Sequence, residues 1–304
     1  MAKRKKSNSV PFDAENPVFS LRDLARSVLS DDAVFSGTDS ELGEPLGFLP
    51  TPDDELNKIL DREGRGIPMG RIIEAFGPPQ TGKSSLAYAA IAAVQKIDGI
   101  GVIITAEGEF SKTNALAYGV DTDRVLVVDT NIVEECFTVI NKILDQNPDK
   151  PVVIVVDSVA GLSTRAEYES DTFDYDRQAQ IRAQLISKGL RKIGAKIPRT
   201  MHTLYLVNQV NEGETTMQGF KSKAKPVGGV RIGFYASIRL RLEPTGKFYR
   251  TKSGKKYVAG LEVKITTEKN RIHTPMLSVD MIIDFEKGLR SKASKKEDEE
   301  FGDD

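Results

Sequence analysis

Apolar runs recur along the middle of this 304-residue chain, and stretches that can form helices separate them. The nearly continuous runs of Val, Ile and Leu occupy residues 71–76, 101–106, 124–129, 151–157 and 202–209. Runs of this kind are typical of strands that are buried on both faces of a sheet. The strand-then-helix order favours a mostly parallel sheet with helices on both sides.

The order of elements changes after Gly233, where strand-like segments follow one another without helices. Residues 237–243, 256–266 and 277–285 are typical of a meander, with a turn at 252–254. We therefore predict an α/β fold over residues 46–288, in which antiparallel strands extend the parallel sheet.

The two ends of the chain differ from this core. Residues 1–45 are polar, except that Leu21, Leu24 and Val28 share one face of a helix predicted over 20–29. A single short helix cannot bury such a face alone, so it is expected to pack on the core or on a neighbouring protomer. Residues 289–304 form a charged tail with six acids between 297 and 304, and we predict disorder there.

Composition excludes several classes of protein. No run of about 18 apolar residues is present, so no membrane span is predicted. The basic N-terminus lacks a following apolar segment, unlike a signal peptide. Cys136 is the lone cysteine and only two histidines occur, which argues against a disulfide or a His/Cys zinc site. These features predict a cytoplasmic protein.

A phosphate-binding motif follows the first apolar run. Residues 77–84, GPPQTGKS, match G-x-x-x-x-G-K-[ST], and the Ala- and Leu-rich stretch 85–94 predicts a helix directly after it. Strand, loop and helix form a cradle for a nucleotide polyphosphate, with Lys83 on the β- and γ-phosphates and Ser84 on Mg²⁺. The predicted nucleotide-binding residues are Gly77, Pro78, Pro79, Gln80, Thr81, Gly82, Lys83, Ser84 and Ser85.

Polar residues end three of the other apolar runs. Asp157 ends the most hydrophobic run, and we expect the strand formed by this run to lie beside the loop strand. Asp157 is therefore the predicted second protein ligand of Mg²⁺. Glu107 directly follows the run 101–106 and is the predicted base that deprotonates an attacking water. Glu109 is the alternative candidate for this role. Asn208 and Gln209 end a fourth run, where an amide can sense a γ-phosphate. Ligands in open α/β sheets bind at this carboxyl edge.

Two segments predict contact with nucleic acid. Between Arg177 and Arg199, on a predicted helix, lie seven Lys or Arg residues and no acid, whereas an ordinary solvated face mixes both signs. The long segment 210–230 combines glycines, cations and an aromatic residue, which suits single-stranded nucleic acid. Its candidate contacts are Phe220, Lys221, Lys223, Lys225, Gly228 and Gly229.

Several ordered motifs between residues 68 and 288 resemble the RecA-type recombinases. The matching segments are PMGRIIE at 68–74, VVDSVAGL at 155–162, the pair 208–209, Gly228 with Gly229, FYASIRL at 234–240, and KNR at 269–271 with Pro275. The likeness is to a compact, phage-like member that lacks the bacterial C-terminal domain. It implies a RecA-like P-loop core with an N-terminal polymerisation arm, including residues 33–36.

This resemblance implies an ATP- and Mg²⁺-dependent protein that forms filaments on single-stranded DNA and exchanges strands with homologous duplex DNA. It implies that Glu107 is the catalytic base and Gln209 the sensor of ATP. Lys269 and Arg271 would reach the ATP of the next protomer. Segments 163–176 and 210–230 would be DNA loops, with Arg191 a further DNA contact. A single-strand binding protein or a mediator would be an additional partner.

The chain departs from the family pattern at two positions. Asn114 occupies the position where RecA proteins have a tyrosine that stacks on adenine, and Gly233 replaces a usual lysine beside Phe234. Two other functions remain open. The chain could be an ATP-dependent scaffold or mediator on single-stranded DNA without strand exchange, or a ring helicase with the same core.

Overall fold

The chain divides into two units, residues 1–44 and 45–304. The computed structural model describes residues 17–26, 28–29, 43–169, 175–211, 225–227, 230–252 and 254–292. In the first unit, helix α1 spans Pro17–Arg26, so a helix is present as predicted but it begins and ends three residues before the predicted 20–29 and does not include Val28. The proposed arm residues 33–36 and the tail beyond 292 lie outside the described residues.

The second unit holds the predicted α/β core. Its helices are α2 (Asp54–Leu60), α3 (Lys83–Lys96), α4 (Lys112–Ala117), α5 (Val133–Gln146), α6 (Arg165–Tyr168), α7 (Tyr175–Lys196) and α8 (Val230–Tyr235). Its strands are β1 (Phe48–Leu49), β2 (Ile67–Pro68), β3 (Ile72–Gly77), β4 (Ile100–Thr105), β5 (Val125–Asp129), β6 (Val152–Asp157), β7 (Thr203–Asn211), β8 (Lys225–Pro226), β9 (Ile238–Lys252), β10 (Lys255–Asn270), β11 (Ser278–Asp284) and β12 (Gly288–Ser291). Among the described residues, no helix is long and apolar enough to span a membrane.

One large sheet organises these elements. Within the described part of the chain its order is β12-β11-β10-β9-β3-β7-β6-β4-β5, and β8 pairs with β7. Strands β9, β3, β7, β6, β4 and β5 run parallel, whereas β9 to β12 form an antiparallel meander. The predicted α/β architecture is therefore confirmed.

The order of the strands in the sheet differs from the prediction. Strand β6, which ends at Asp157, was expected beside β3, but β7 lies between them. Apolar runs show which segments are strands but not which strands are neighbours. Asp157 nevertheless reaches the same carboxyl edge of the sheet, because parallel neighbours end together.

Three local boundaries also differ from the prediction. Strand β9 continues through polar residues to Lys252, well beyond its predicted end at 243, and β10 continues to Asn270 rather than ending at 266. Strand β12 lies past the predicted core boundary at 288, and the Ser291 N–H donates to Asp53 at 2.6 Å. Asn131, with Glu134 three residues later, has the pattern of a helix cap, but α5 is preceded by Ile132 and its N-cap makes no side-chain hydrogen bond.

Alternating side chains of the central strands fill two apolar layers. Val153 and Val155 of β6 join the layer beneath α3, and Ile154 and Val156 join the layer beneath α5 and α7. Strand β7 divides its residues in the same way. Each such fully buried side chain contributes about 1.5–3 kcal/mol relative to an exposed one. The sheet is therefore a rigid support for the residues at its carboxyl edge.

Helix α7 packs on α5 through a close contact at Gly189. A Cβ atom at this position would lie 2.4 Å from the ring of Phe137, which is itself buried. One turn and a half further on, a Cβ at Gly194 would meet Tyr235 at an ordinary 3.4 Å. Close packing against Phe137 therefore requires a glycine at position 189, whereas the space at position 194 also admits a Cβ atom.

We predict different stability effects for the two alanine variants. Alanine favours a helix interior by about 1 kcal/mol over glycine, but overpacking of a core costs about 1–3 kcal/mol. Gly189→Ala should lower the free energy of unfolding in urea, and Gly194→Ala should leave it unchanged or raise it. Effects of equal sign and size in the two variants would contradict this packing.

Candidate functional site

The loop between β3 and α3 has the backbone shape of a phosphate cradle. Gly82 has φ 81° and precedes α3 without a side-chain cap, so N–H groups of the helix N-terminus remain available to an anion. Gly77 is required for a different reason, because a Cβ there would lie 2.3 Å from the Leu242 carbonyl oxygen. The predicted residues Pro79, Gln80, Thr81, Gly82, Lys83, Ser84 and Ser85 line one cleft, whereas Gly77 and Pro78 are not part of its lining.

Lys83 extends along this loop. Its Nζ donates to the carbonyl oxygens of Gly77 at 3.1 Å and Pro78 at 2.6 Å, and the residue is 7% exposed. Burial lowers the pKa of Lys83, while the charges of Asp157 and Glu107 oppose this shift. An anionic ligand at the loop would supply the countercharge that favours the ammonium form.

Asp157 lies beside Ser84, as expected for two ligands of one cation. The Ser84 hydroxyl donates to the Asp157 carboxylate, whose pKa is raised by burial and also by Glu107. Within the described residues, no group of three or more His, Cys, Asp or Glu side chains is suited to a metal ion. A hydroxyl and a carboxylate next to a phosphate cradle fit Mg²⁺, which commonly shares its shell with phosphates and water.

Glu107 is held more firmly than its rival Glu109. The Ser158 hydroxyl donates to Glu107 Oε1 at 2.6 Å, and Gln209 Nε2 approaches the same oxygen at 3.5 Å. Glu109 also lines the cleft, but its hydrogen bond to Thr105 Oγ1 is made by its backbone N–H, at 3.0 Å. Ser158 was not identified from the sequence, although its place directly after Asp157 at a strand end was an available signal.

A buried polar network lies below these residues. Glu74 of β3 is fully buried and accepts from Asn208 Nδ2 at 2.9 Å and from Arg239 Nε at 2.6 Å. Asn208 Nδ2 also donates to the Val227 carbonyl oxygen at 2.9 Å, and Val227 N–H donates to the carbonyl oxygen of Gln209 at the same distance. The network ties the loop strand to the residues just before Gly228.

The cleft extends from the loop to an apolar wall and has a volume of about 730 Å³. This size lies within the range of about 300–1,000 Å³ of small-molecule sites. The wall residues that sequence reasoning missed are Tyr88, Tyr118, Leu261, Ile283 and Phe285. Tyr88 lies one helical turn after Ser84, which was a usable signal, whereas Phe285 is far from the motif in sequence.

Comparison with known proteins places this site in a family. The model of the RecA N-terminal domain matches residues 49–290, which include every residue of the cleft described above. This chain belongs to the RecA family. The resemblance drawn from the sequence motifs and the P-loop α/β fold are therefore confirmed.

Individual RecA proteins match over most of the chain. Protein RecA of Crocosphaera subtropica is 33% identical over 226 residues, which are 74% of this chain and 62% of that protein. Protein RecA of Deinococcus radiodurans is 37% identical over 224 residues, 74% of this chain and 59% of that protein. Protein RecA of Nautilia profundicola is 33% identical over 246 residues, 81% of this chain and 67% of that protein. The match thus spans about three fifths of the length of the first two relatives.

The two predicted trans-acting cations of this RecA-family chain lie outside the cleft lining. Lys269 Nζ donates to the carbonyl oxygens of Gly233 at 2.7 Å and Phe234 at 3.0 Å, and Arg271 donates to Phe234 at 3.0 Å. Phe234 itself is 60% exposed. Burial, together with the charges of Arg271 and Arg239, lowers the pKa of Lys269 to about 8. The structure therefore does not join these cations to the phosphate loop of the same chain.

The basic helix α7 is partly neutralised by acids on other elements. Arg182 pairs with Glu167 at 3.2 Å and Lys196 with Asp145 at 2.5 Å, so two of the seven basic residues are neutralised by acids that lie outside the helix. Lys188, Arg191 and Lys192 are exposed, and no ion pair joins them to an acid of the described residues. Arg177 is also exposed.

The remaining candidate DNA contacts fall mostly outside the described residues. Phe220, Lys221, Lys223, Gly228 and Gly229 are in this group. Lys225 begins the short strand β8, which pairs antiparallel with the end of β7. In the acidic segment 163–176, residues Arg165–Tyr168 form α6, whose Thr164 and Glu167 make a capping box.

Proposed function

We propose that this chain is an ATP-dependent DNA recombinase that forms filaments on single-stranded DNA and exchanges strands with homologous duplex DNA. The observation that carries the proposal is the convergence of Lys83, Ser84, Asp157, Glu107 and Gln209 on one cleft. Membership of the RecA family supports the same reaction. ATP is the substrate of the site, and Mg²⁺ is its metal.

The cleft residues have distinct roles in ATP hydrolysis. The N–H groups of the loop and Lys83 bind the β- and γ-phosphates, and Ser84 and Asp157 hold Mg²⁺. When bound, Mg²⁺ neutralises phosphate charge. Glu107 orients the attacking water and accepts its proton, while Ser158 fixes the carboxylate that does so.

Gln209 couples the γ-phosphate to the DNA-binding segment. Its side chain approaches Glu107, and its carbonyl oxygen accepts the N–H of Val227. Asn208 holds the other side of Val227 and is itself held by Glu74. A shift of Gln209 toward a γ-phosphate therefore moves the backbone next to Gly228 and Gly229, which we assign to DNA together with Arg177, Arg191, Phe220, Lys221, Lys223 and Lys225.

Assembly of protomers completes the site. Lys269 and Arg271 lie beside the exposed Phe234, on a surface separate from the cleft, and from there they reach the γ-phosphate of a neighbouring protomer. Strand β5 is the last strand at one edge of the described sheet, with Leu126 54% and Val127 39% exposed. Such an edge is a template for strand addition, and we assign it to residues 33–36 of a second copy.

The direct test is ATP turnover with and without single-stranded DNA. We expect DNA to stimulate hydrolysis in the wild type, and Glu107→Gln to lower kcat about 10²–10⁴-fold, because a positioned base contributes that much. Glu109→Gln is the matched control and should stay near the wild-type rate. Binding of a non-hydrolysable ATP analogue should survive in both variants.

Strand exchange between homologous oligonucleotides separates the recombinase from a scaffold, a mediator or a helicase. The proposal requires exchange by the wild type and none by Lys83→Ala. Turnover that ignores DNA, or full hydrolysis by Glu107→Gln, contradicts the catalytic assignment. DNA-stimulated turnover without exchange would instead favour the mediator or helicase functions.

The lowered pKa of Lys269 predicts a pH dependence of assembly. Lys269 is protonated below its pKa of about 8 and neutral above it. Above that pH, a filament contact that needs the ammonium must take up a proton, so its affinity falls by up to about tenfold per pH unit. Lys269→Arg should lose this dependence, since arginine stays charged.

Light scattering of assembly on single-stranded DNA with a non-hydrolysable ATP analogue, from pH 7 to 9, measures this effect. The two proteins are compared by their slopes rather than by their affinities at pH 7, since lysine and arginine differ in reach. Equal slopes for the wild type and Lys269→Arg contradict a role for the Lys269 ammonium in assembly.

A further inference from the structure

A short helical turn after β6 lies directly against the side chain of Glu107. The turn spans Val159–Gly161, and Ser158 precedes it. The Ser158 hydroxyl donates to Glu107 Oε1 at 2.6 Å. At the other end of the turn, a Cβ atom at Gly161 would lie 3.0 Å from Glu107 Cγ and 3.4 Å from Glu107 Oε1. Both ends of the turn therefore meet the same side chain.

The backbone of Gly161 does not itself require a glycine. Gly161 lies in the helical turn and its φ is outside the left-handed region, unlike that of Gly108, whose φ is 69°. Alanine adopts a helical backbone without strain. The one further atom that stands close to the Cβ position is the Cβ of Ala106, at 3.2 Å. Lack of space beside Glu107 and Ala106 is thus the physical reason for a glycine here.

The far end of the turn is anchored in the core. Leu162, which follows the turn, is 1% exposed. Ser163 then donates its backbone N–H to the Asn131 carbonyl oxygen at 2.7 Å and accepts the N–H of Val133 at 2.9 Å. These bonds tie the end of the turn to the start of α5, so a larger residue at position 161 would not be relieved by movement of the turn.

The side chain of Glu107, in contrast, has room to move. Glu107 and Gly108 are exposed, and no atom beyond its chain neighbours lies within 4 Å of a Cβ at Gly108. The backbone just before them is fixed, because the Ala106 N–H donates to the end of β6 at 2.9 Å. A methyl group at position 161 would therefore push the Glu107 side chain away from the turn and lengthen its hydrogen bond to Ser158.

We infer that Gly161 is a positioning residue for ATP hydrolysis, because its missing side chain lets Glu107 lie close enough to the turn for the Ser158 hydroxyl to hold it. The inference rests on the proposed function, in which Glu107 accepts the proton of the attacking water. Gly161 is not among the residues that line the cleft, so it acts through Glu107 and not on the nucleotide.

ATP turnover by Gly161→Ala in the presence of single-stranded DNA measures this effect. We expect kcat to fall about 3- to 10-fold, since the shift of a few tenths of an ångström is a fraction of the roughly 1 Å displacement that costs about 10²-fold. Affinity for a non-hydrolysable ATP analogue should not change, because the phosphate loop is untouched. In the Glu107→Gln background, Gly161→Ala should have no further effect on kcat.

Two variants separate this effect from general damage by an added methyl group. Gly194→Ala adds a methyl on α7, where it meets Tyr235 at an ordinary 3.4 Å, and should keep the wild-type kcat. Gly161→Ala combined with Ala106→Gly leaves Glu107 as the close neighbour of the new methyl, and its kcat should stay below that of Ala106→Gly alone. The combined variant also carries the test if thermal unfolding shows that Gly161→Ala alone does not fold.

The outcomes distinguish this inference from the proposed function. A wild-type kcat for Gly161→Ala, with Glu107→Gln impaired, overturns the role of Gly161 and leaves the catalytic base in place. Equal kcat for the combined variant and Ala106→Gly, a loss of analogue affinity that accounts for the lost turnover, or a further loss in the Glu107→Gln background also overturns it. Full hydrolysis by Glu107→Gln overturns the catalytic assignment itself, and the inference with it.

Discussion

The parallel register of the central strands is the constraint on which the rest of this structure depends. Gly77 of β3 lies opposite Gln209 of β7, and Thr105 of β4 lies opposite Asp157 of β6. Both faces of these strands are buried, and alternate side chains pack in different apolar layers. A shift by one residue would therefore move every side chain of a strand into the opposite layer, where it does not fit. The packing of the core thus fixes the relative positions of Lys83, Glu107, Asp157 and Gln209.

The same sheet connects the cleft at the phosphate loop to the proposed DNA-binding segment that follows β7. Glu74, Asn208 and Arg239 lie on three adjacent strands and form one buried network. A buried carboxylate is costly without partners, so this network holds β7 and the Val227 backbone in one arrangement. It gives a short physical route from Gln209 to the segment that follows β7.

Sequence patterns predicted the strand–loop–helix cradle and the edge residues because both follow from local order. They did not predict that β7 separates β3 from β6, since apolar runs carry no information on strand order. They missed the partners of Arg182 and Lys196, which lie on other elements, and the apolar wall with Phe285, which only folding brings to the loop. Residues 244–252 of β9 lack the alternation that would have predicted them as strand, although the turn was predicted at 252–254.

In the proposed filament each protomer carries half of a nucleotide site, which its neighbour completes with Lys269 and Arg271. Electron cryomicroscopy of the protein with single-stranded DNA and a non-hydrolysable ATP analogue tests it most directly. We expect helical filaments in which Lys269 and Arg271 of one protomer contact the γ-phosphate bound at Lys83 of the next. A nucleotide enclosed by one protomer, with Lys269 still bonded to its own Gly233 and Phe234, would contradict it.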